Sequence, residues 1–440
     1  MKVKQLLISV VLLVFLPGTL AAQSTLSLHE CISLGLEKNF SIRLARNYEE
    51  EATNNVSLGN AGFLPRINLS SQQSGVISSA NQELANGGTN STRGIHNTTS
   101  SAGLNINQTI FDGFRVQTTY KRLQEISTIG ELQTRLIIEN MIGLIISEYY
   151  NLVQQERLLS NLQYAVELSK ERVRIDEERY LLGSGSKLQL LQSQVYLNAD
   201  SSRFGRQHET VRASRIRLNE LLAPADVTEL IFVSDTVIEV NPNLDYDNLL
   251  QATLASNTAL LIASKNMVLS EYDRKIIASR SYPYLNFSSG YGMSYNTYQR
   301  GSLNNQRSMS ASYGLTLGLS IFDGFNQRRA LSNATIEINN RQLLYQQIEQ
   351  ETRADLFTIF NAYTNNLRLL NLELKNLEIA RENLGIALER YKLGALAGLE
   401  LREVQKSLLD AEERLLSIQY QTKLAEVSLL QISGKVLSYI

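Results

Sequence analysis

The residues best equipped to do chemistry are few and far apart. The 440-residue chain holds three histidines, His29, His96 and His208, and a single cysteine, Cys31. A metal centre needs ligands gathered on one face of an element; by sequence pattern these histidines fall at a helix start, in a loop and within a helix. A lone thiol cannot form an internal disulfide, and Cys31 reads as a small buried hydrophobe. There is neither a glycine-rich phosphate loop nor a Gly-x-Ser-x-Gly elbow. No catalytic residue, cofactor or metal site is therefore expected. With 42 basic and 43 acidic residues the formal net charge is −1, which gives no reason to expect nucleic acid as a partner.

What the chain does carry is a duplication. Ile110-Phe111-Asp112-Gly113-Phe114 returns as Ile321-Phe322-Asp323-Gly324-Phe325, and Arg179-Tyr180-Leu181-Leu182-Gly183 returns in outline as Arg390-Tyr391-Lys392-Leu393-Gly394, at the same offset. Motifs repeated in order and at constant spacing mark two equivalent structural units. The expected division is a leader at residues 1–22, a first repeat at 23–223, a linker at 224–245 and a second repeat at 246–440. The leader has the layout of a secretory signal peptide: Lys2 and Lys4, an apolar run from Leu6 to Leu16, then Pro17-Gly18 and small residues to Ala22. Its apolar run is too short to cross about 30 Å of hydrocarbon as a helix.

Each repeat opens with a helical pattern, Leu28 to Gly62 and Tyr246 to Arg280, closed by Pro65 and Pro283. The period then changes from helical to two. Leu285, Phe287, Tyr291, Met293 and Tyr295 alternate with small or polar residues, as do Met309, Tyr313, Leu315, Leu317 and Leu319; Ile67, Leu69, Leu104 and Ile106 do so more faintly. Alternating runs of about 9 to 13 residues joined by polar loops fit strands of an outer-membrane barrel, the alternative being a half-buried sheet in a soluble sandwich.

Helix resumes behind Asp112 and Asp323, each placed as a cap. Phe114 to Leu182 and Phe325 to Leu393 are each about 70 residues, roughly 100 Å of helix at about 1.5 Å per residue. Along the second, Leu370, Leu374, Leu377, Leu384, Leu388 and Tyr391 trace a seven-residue seam broken by Arg381, and Leu372, Ile379, Ile386 and Leu393 trace another on nearly the opposite face. Each long helix turns at Gly183-Ser184-Gly185-Ser186 or Gly394-Ala395-Leu396-Ala397 into a returning helix, Leu188 to Leu222 or Leu399 to Ser433. Opening and returning helices together match one long helix, so two short helices stacked end to end can line each long one. Four strands per chain cannot enclose a useful lumen, so association is required.

The order of helix, Gly-Phe-Leu-Pro, two strands, Phe-Asp-Gly, long helix, Arg-Tyr-x-x-Gly turn and returning helix, all twice, resembles the TolC family of outer-membrane efflux and secretion channels. The resemblance implies a mixed α+β membrane protein: a homotrimer whose 12-stranded barrel in the outer membrane continues as an α-helical coiled-coil barrel in the periplasm. It implies an exit duct of a tripartite efflux pump or type I secretion system, with a periplasmic adaptor and an inner-membrane transporter of RND or ABC type as partners. An exported trimeric coiled-coil adhesin or stalk is the alternative.

Counting from the turn tyrosine as in the family, the resemblance places Glu400 and Glu403 at a periplasmic constriction. Gln189 stands at the matching position of the first repeat, where the family often has aspartate. Without the resemblance, Glu400 and Glu403 read as a solvated helix face. The tips, Gly183, Ser184, Gly185 and Ser186 with Gly394, Ala395, Leu396 and Ala397, are expected to admit an adaptor closely, or simply to be tight turns that need glycine. Ala397 replaces a serine common in the family. Tyr282, Tyr284, Tyr295 and Tyr298 suit an aromatic belt against outer-membrane lipid, or ordinary packing.

Overall fold

The computed structural model describes residues 25–439, and the leader expected at 1–22 lies outside them. The chain divides into two compact units, each drawn from both halves of the sequence: one takes residues up to Arg46, Thr134–Thr258 and Glu349 onward, the other Asn47–Gln133 and Ala259–Ile348.

The sheet unit is built on four antiparallel strands, β2 (Arg66–Glu83), β3 (Thr89–Asp112), β5 (Tyr284–Thr297) and β6 (Asn305–Gly318), in the order β2-β3-β5-β6. Partners across a ladder share a face, and the register aligns Leu69, Leu104, Tyr291 and Ala311 on one face and Asn68, Asn105, Gly290 and Ser312 on the other. At this level of the sheet one face is therefore apolar and the other polar or small. The first hairpin is longer than the sequence pattern suggests, with 18 and 24 residues in its strands against 14 in each strand of the second. Its outer part, from Gln72 to Ser100, is mostly Ser, Thr, Asn and Gln, with Val76, Ile77 and Ile95 scattered among them, so main-chain pairing continues where side-chain alternation has faded. His96, expected in a loop, lies in that extension.

Helix replaces strand abruptly at each Phe-Asp-Gly-Phe. Gly113 and Phe114 adopt φ of 68° and 67°, Gly324 and Phe325 φ of 70° and 64°. Two left-handed residues reverse the chain, and the aspartate then caps the helix: Val116 N donates to Asp112 Oδ1 at 3.2 Å and Gln327 N to Asp323 Oδ2 at 2.8 Å. A phenylalanine in this region costs about 1 kcal/mol. In both copies its ring stacks edge-to-face on the preceding phenylalanine, centroids 5.3 Å apart, which offsets that cost.

The long helices that follow are α4 (Arg115–Leu181) and α8 (Asn326–Lys392), each of 67 residues; the returning helices are α5 (Lys187–Leu222) and α9 (Gly398–Ile432). The opening helices differ from expectation, being interrupted: α1 (Leu28–Lys38), α2 (Phe40–Asn54) and α3 (Leu58–Ala61) in the first repeat, α6 (Tyr246–Ser256) and α7 (Thr258–Ser279) in the second. Asn39 and Asn257 leave the helical region, with ψ of 129° and 119°. Asn39 Nδ2 donates to Leu221 O and Asn257 Nδ2 to Ile432 O, both at 2.9 Å. Each asparagine thus gives up one helical position and satisfies an orphan carbonyl at the end of a returning helix.

In the helical unit the main core centres on Met141, Ile142, Ile145, Ile146, Tyr149 and Val153 of α4, packed against Cys31, Ile32, Ile42, Leu218 and Val427. One window of α4 is apolar enough by length and composition to cross a membrane; the residues that make it so include these buried ones. The linker carries β4 (Phe232–Val233), paired in parallel with β1 (Thr25–Leu26). It is held by buried polar groups. Tyr149 Oη donates to Leu26 O and accepts from Asp235 N, both at 3.3 Å. Glu426 accepts from Asn241 N at 2.9 Å, Lys423 Nζ at 2.8 Å and Tyr439 Oη at 3.1 Å.

Burial pushes the Tyr149 hydroxyl up to about 12 and raises those of Tyr150, Tyr363, Tyr420 and Tyr439. In the unfolded chain a tyrosine ionises near about 10. Between about pH 10 and 12 the unfolded chain sheds protons that the folded chain keeps, so stability present below 10 is lost as pH rises. Helical ellipticity should therefore fall together with the appearance of phenolate absorbance above pH 10; complete phenolate titration near 10 with unchanged ellipticity would contradict this burial. The two reversals also differ in tolerance. A Cβ on Gly113 would lie 2.5 Å from Ser279 O, whereas one on Gly324 meets only Asn326 Nδ2 at 3.6 Å. Gly324→Ala should cost about 1 kcal/mol for its φ, and Gly113→Ala clearly more. Equal melting temperatures for the two variants would show that the Ser279 contact yields freely.

Candidate channel constriction and docking tips

The tips lie in the helical unit, where α4 passes into α5 and α8 into α9. After α4, Gly183 at φ 71° bends the chain, and Ser184 N and Gly185 N both donate to Arg179 O at 2.9 Å. After α8, Gly394 at φ 76° does the same, with Ala395 N donating to Arg390 O at 2.9 Å. The exits differ. Ser186 caps α5 in a reciprocal box: Gln189 N donates to Ser186 Oγ at 3.2 Å and Ser186 N to Gln189 Oε1 at 3.1 Å. Ala397 has no side chain to cap α9. Gln189, expected at the constriction, thus has its side-chain oxygen engaged in its own helix start.

Glu400 and Glu403 are exposed and lie three residues apart on one side of α9, while Leu401, Gln405 and Leu408 of the same turns are buried. Both carboxylates are therefore accessible on that side of α9. The apolar seam is narrower than its sequence pattern: Leu377, Leu384, Ala387 and Tyr391 pack on Leu401, Leu408, Ala411, Leu415 and Ile418, with Leu370 and Leu388 partly buried. Leu374 stands out at 47% exposure, and the second series, Leu372, Ile379, Ile386 and Leu393, is exposed throughout.

Sequence reasoning missed a buried polar layer beside the tips. Tyr391 Oη donates to the Asp176 carboxylate, and Arg179 Nη2 donates to Tyr391 O with its guanidinium 4.8 Å from the Tyr391 ring centroid. Arg172 is 4% exposed, lies 5.0 Å from the Tyr196 ring, and its Nε is 3.9 Å from Asp176. Arg402 grips Asp200 through both carboxylate oxygens at 2.7 and 2.8 Å, and Ser169 Oγ adds a bond at 2.6 Å. Burial, followed by Asp176, pushes the Tyr391 hydroxyl up to about 12. Among the described residues the Gln405 amide finds no hydrogen-bond partner. A helical spacing of Arg172 to Asp176 was visible in the sequence; that it faces inward was not.

The four tyrosines lie at the two ends of β5. Tyr282 precedes the strand and Tyr284 begins it, its ring standing over Gly318; Tyr295 is near the far end, and Tyr298 follows, donating to Gln306 Oε1 at 2.9 Å. His29, His96 and His208 occupy α1, β3 and α5, and Cys31 is fully buried, its thiol pushed up to about 12 by desolvation.

No curated protein matches the sequence. Solved structures do match in fold. A membrane protein from Pseudomonas aeruginosa superposes with a TM-score of 0.76 at 17% identity, over 92% of this chain and 93% of that one. The Campylobacter jejuni CmeC outer membrane channel gives 0.74 at 16%, over 93% and 85%. The outer membrane protein VceC from Vibrio cholerae gives 0.73 at 16%, over 92% and 96%. Likeness at such identity is one of fold. The family model described as outer membrane efflux protein matches residues 31–223 and 249–435, nearly all of both repeats, and the chain belongs to that family.

Proposed function

We propose that this outer-membrane efflux protein works as a homotrimer, three copies closing a 12-stranded barrel in the outer membrane above a coiled-coil tunnel in the periplasm. One observation carries the reading: a four-stranded sheet with an apolar face and two unpaired edges. Lipid cannot satisfy an open edge, so membrane strands must close into a ring. The step from Tyr284 to Tyr295 spans roughly 37 Å along the strand at about 3.4 Å per residue. A tilt of about 45° reduces that to roughly 26 Å, the height of a lipid-facing band with aromatic girdles. Residues 23–223 and 246–440 are the two repeats of each subunit, joined across 224–245.

The duct is the exit of a tripartite assembly, fed by an inner-membrane transporter of RND or ABC type through a periplasmic adaptor. The tips at 183–186 and 394–397 are its docking points, with Leu181, Leu182, Leu393 and Leu399 exposed beside them for apolar contact. The family is one of conduits rather than catalysts, and the energy for transport comes from the inner membrane.

Glu400 and Glu403, repeated three times around the bore, would concentrate cations at the constriction. In planar bilayers Glu400→Gln with Glu403→Gln should lower cation preference several-fold and weaken block by multivalent cations by about tenfold, since charge at the throat sets both. Unchanged selectivity would reject these residues as the constriction; a protein that conducts nothing would reject the duct in favour of a stalk.

A further inference from the structure

The apolar side of the second hairpin changes character within two rows. From Leu285 opposite Leu317 to Met293 opposite Met309, the pairs on that side carry no charge. The next pair is Tyr295 with Arg307, and the one beyond it is Thr297 with Asn305. An arginine is costly in the middle of hydrocarbon and nearly neutral at its edge. Arg307 therefore marks that edge, at the end of the sheet farthest from the Phe-Asp-Gly-Phe reversals.

A second arginine lies just past it. Tyr298 N donates to Asn304 O at 2.8 Å, closing the loop that carries Arg300. Gln299 N donates to Asn97 Oδ1 at 3.3 Å and Gln299 Oε1 accepts from His96 N at 2.7 Å, so the loop is pinned to β3. Arg300 and Arg307 are both exposed. Among the described residues neither guanidinium has a hydrogen bond or ion pair. The segment from Tyr284 to Leu319 holds these two arginines and no Asp, Glu, Lys or His, so nothing within the hairpin neutralises them.

We propose that Arg300 and Arg307 form a binding site for the phosphate of a lipid headgroup in the outer leaflet, with Tyr295 at the level where headgroup meets acyl chain. The inference rests on the reading of the sheet as a barrel wall. A guanidinium forks onto two phosphate oxygens at once, and basic residues held at the level of an anionic surface are drawn to it. The chains of a lipid would bury against Met293 and Met309, a contact that free phosphate cannot make.

Native mass spectrometry of the full chain in mild detergent tests the site, with lipid A as the probe and lipid A freed of both phosphates as its control. The phosphorylated form should be retained about twentyfold more strongly, since each arginine near an anionic surface contributes about fivefold. Arg300→Gln with Arg307→Gln should abolish that difference and leave retention of the phosphate-free form unchanged. Arg300→Lys with Arg307→Lys should restore most of it. Arg93 lies roughly 24 Å farther out along β3 than Ser100, the partner of Tyr295, at about 3.4 Å per residue; Arg93→Gln should therefore change nothing. Equal retention of the two lipids by the unaltered protein, or a loss in Arg93→Gln matching that of the pair, would overturn the site and leave the barrel standing. Displacement of lipid A by an equal concentration of inorganic phosphate would overturn the lipid as occupant. Retention of neither lipid would overturn the membrane-facing reading together with the site.

Discussion

A strand edge in hydrocarbon exposes N–H and C=O groups that nothing in lipid can satisfy, each at a cost of several kcal/mol. This chain places four strands in one sheet and leaves two edges open, and the closed barrel proposed for it is what would satisfy them. The helices answer to the same constraint. The turn at each Phe-Asp-Gly-Phe hands a strand of the sheet directly to a helix of 67 residues, leaving no flexible linker between them. The aspartate cap, the stacked phenylalanines and the left-handed Gly-Phe pair make that transfer local and abrupt.

Duplication lets one solution serve twice, and the two copies differ where their surroundings differ. Gly113 sits against the carbonyl of Ser279, whereas a Cβ on Gly324 would meet only the Asn326 amide at ordinary contact distance. Arg115 completes Asp112, while Asn326 leaves Asp323 incomplete. Ser186 closes a capping box that Ala397 cannot. At the two reversals the backbone dihedrals repeat within a few degrees, whereas each side chain answers to its own neighbours.

Much of the architecture was legible in the sequence because its signals are local. Period-two alternation from Leu285 to Tyr295 located β5, and the capping aspartates located the long helices to within a residue. What escaped depended on distant partners. Asn39 and Asn257 look like ordinary helix residues until the carbonyls of Leu221 and Ile432 arrive beside them. The extended first hairpin lacks side-chain alternation beyond Gln72, and its pairing is carried by the main chain, which sequence pattern does not reveal. Glu400 and Glu403 were singled out only through resemblance, since two glutamates on a helix look the same at a constriction as on any wetted face.

The polar layer beside the tips has a physical rationale that the leucine seam cannot supply. Leucines repeating every seven residues can slide by one heptad and bury nearly the same area, so a purely apolar seam fixes its register weakly. Asp176, Tyr391, Arg179, Arg402 and Asp200 have one arrangement in which donors meet acceptors. A slip by one turn would leave buried charges unpaired, at several kcal/mol each. Replacing such a layer with apolar residues often raises stability; what this layer contributes is a unique alignment of the two helical hairpins, and hence of the turns at 183–186 and 394–397 that they carry. The adaptor docking proposed for these turns would gain more from that alignment than from the stability the layer gives up.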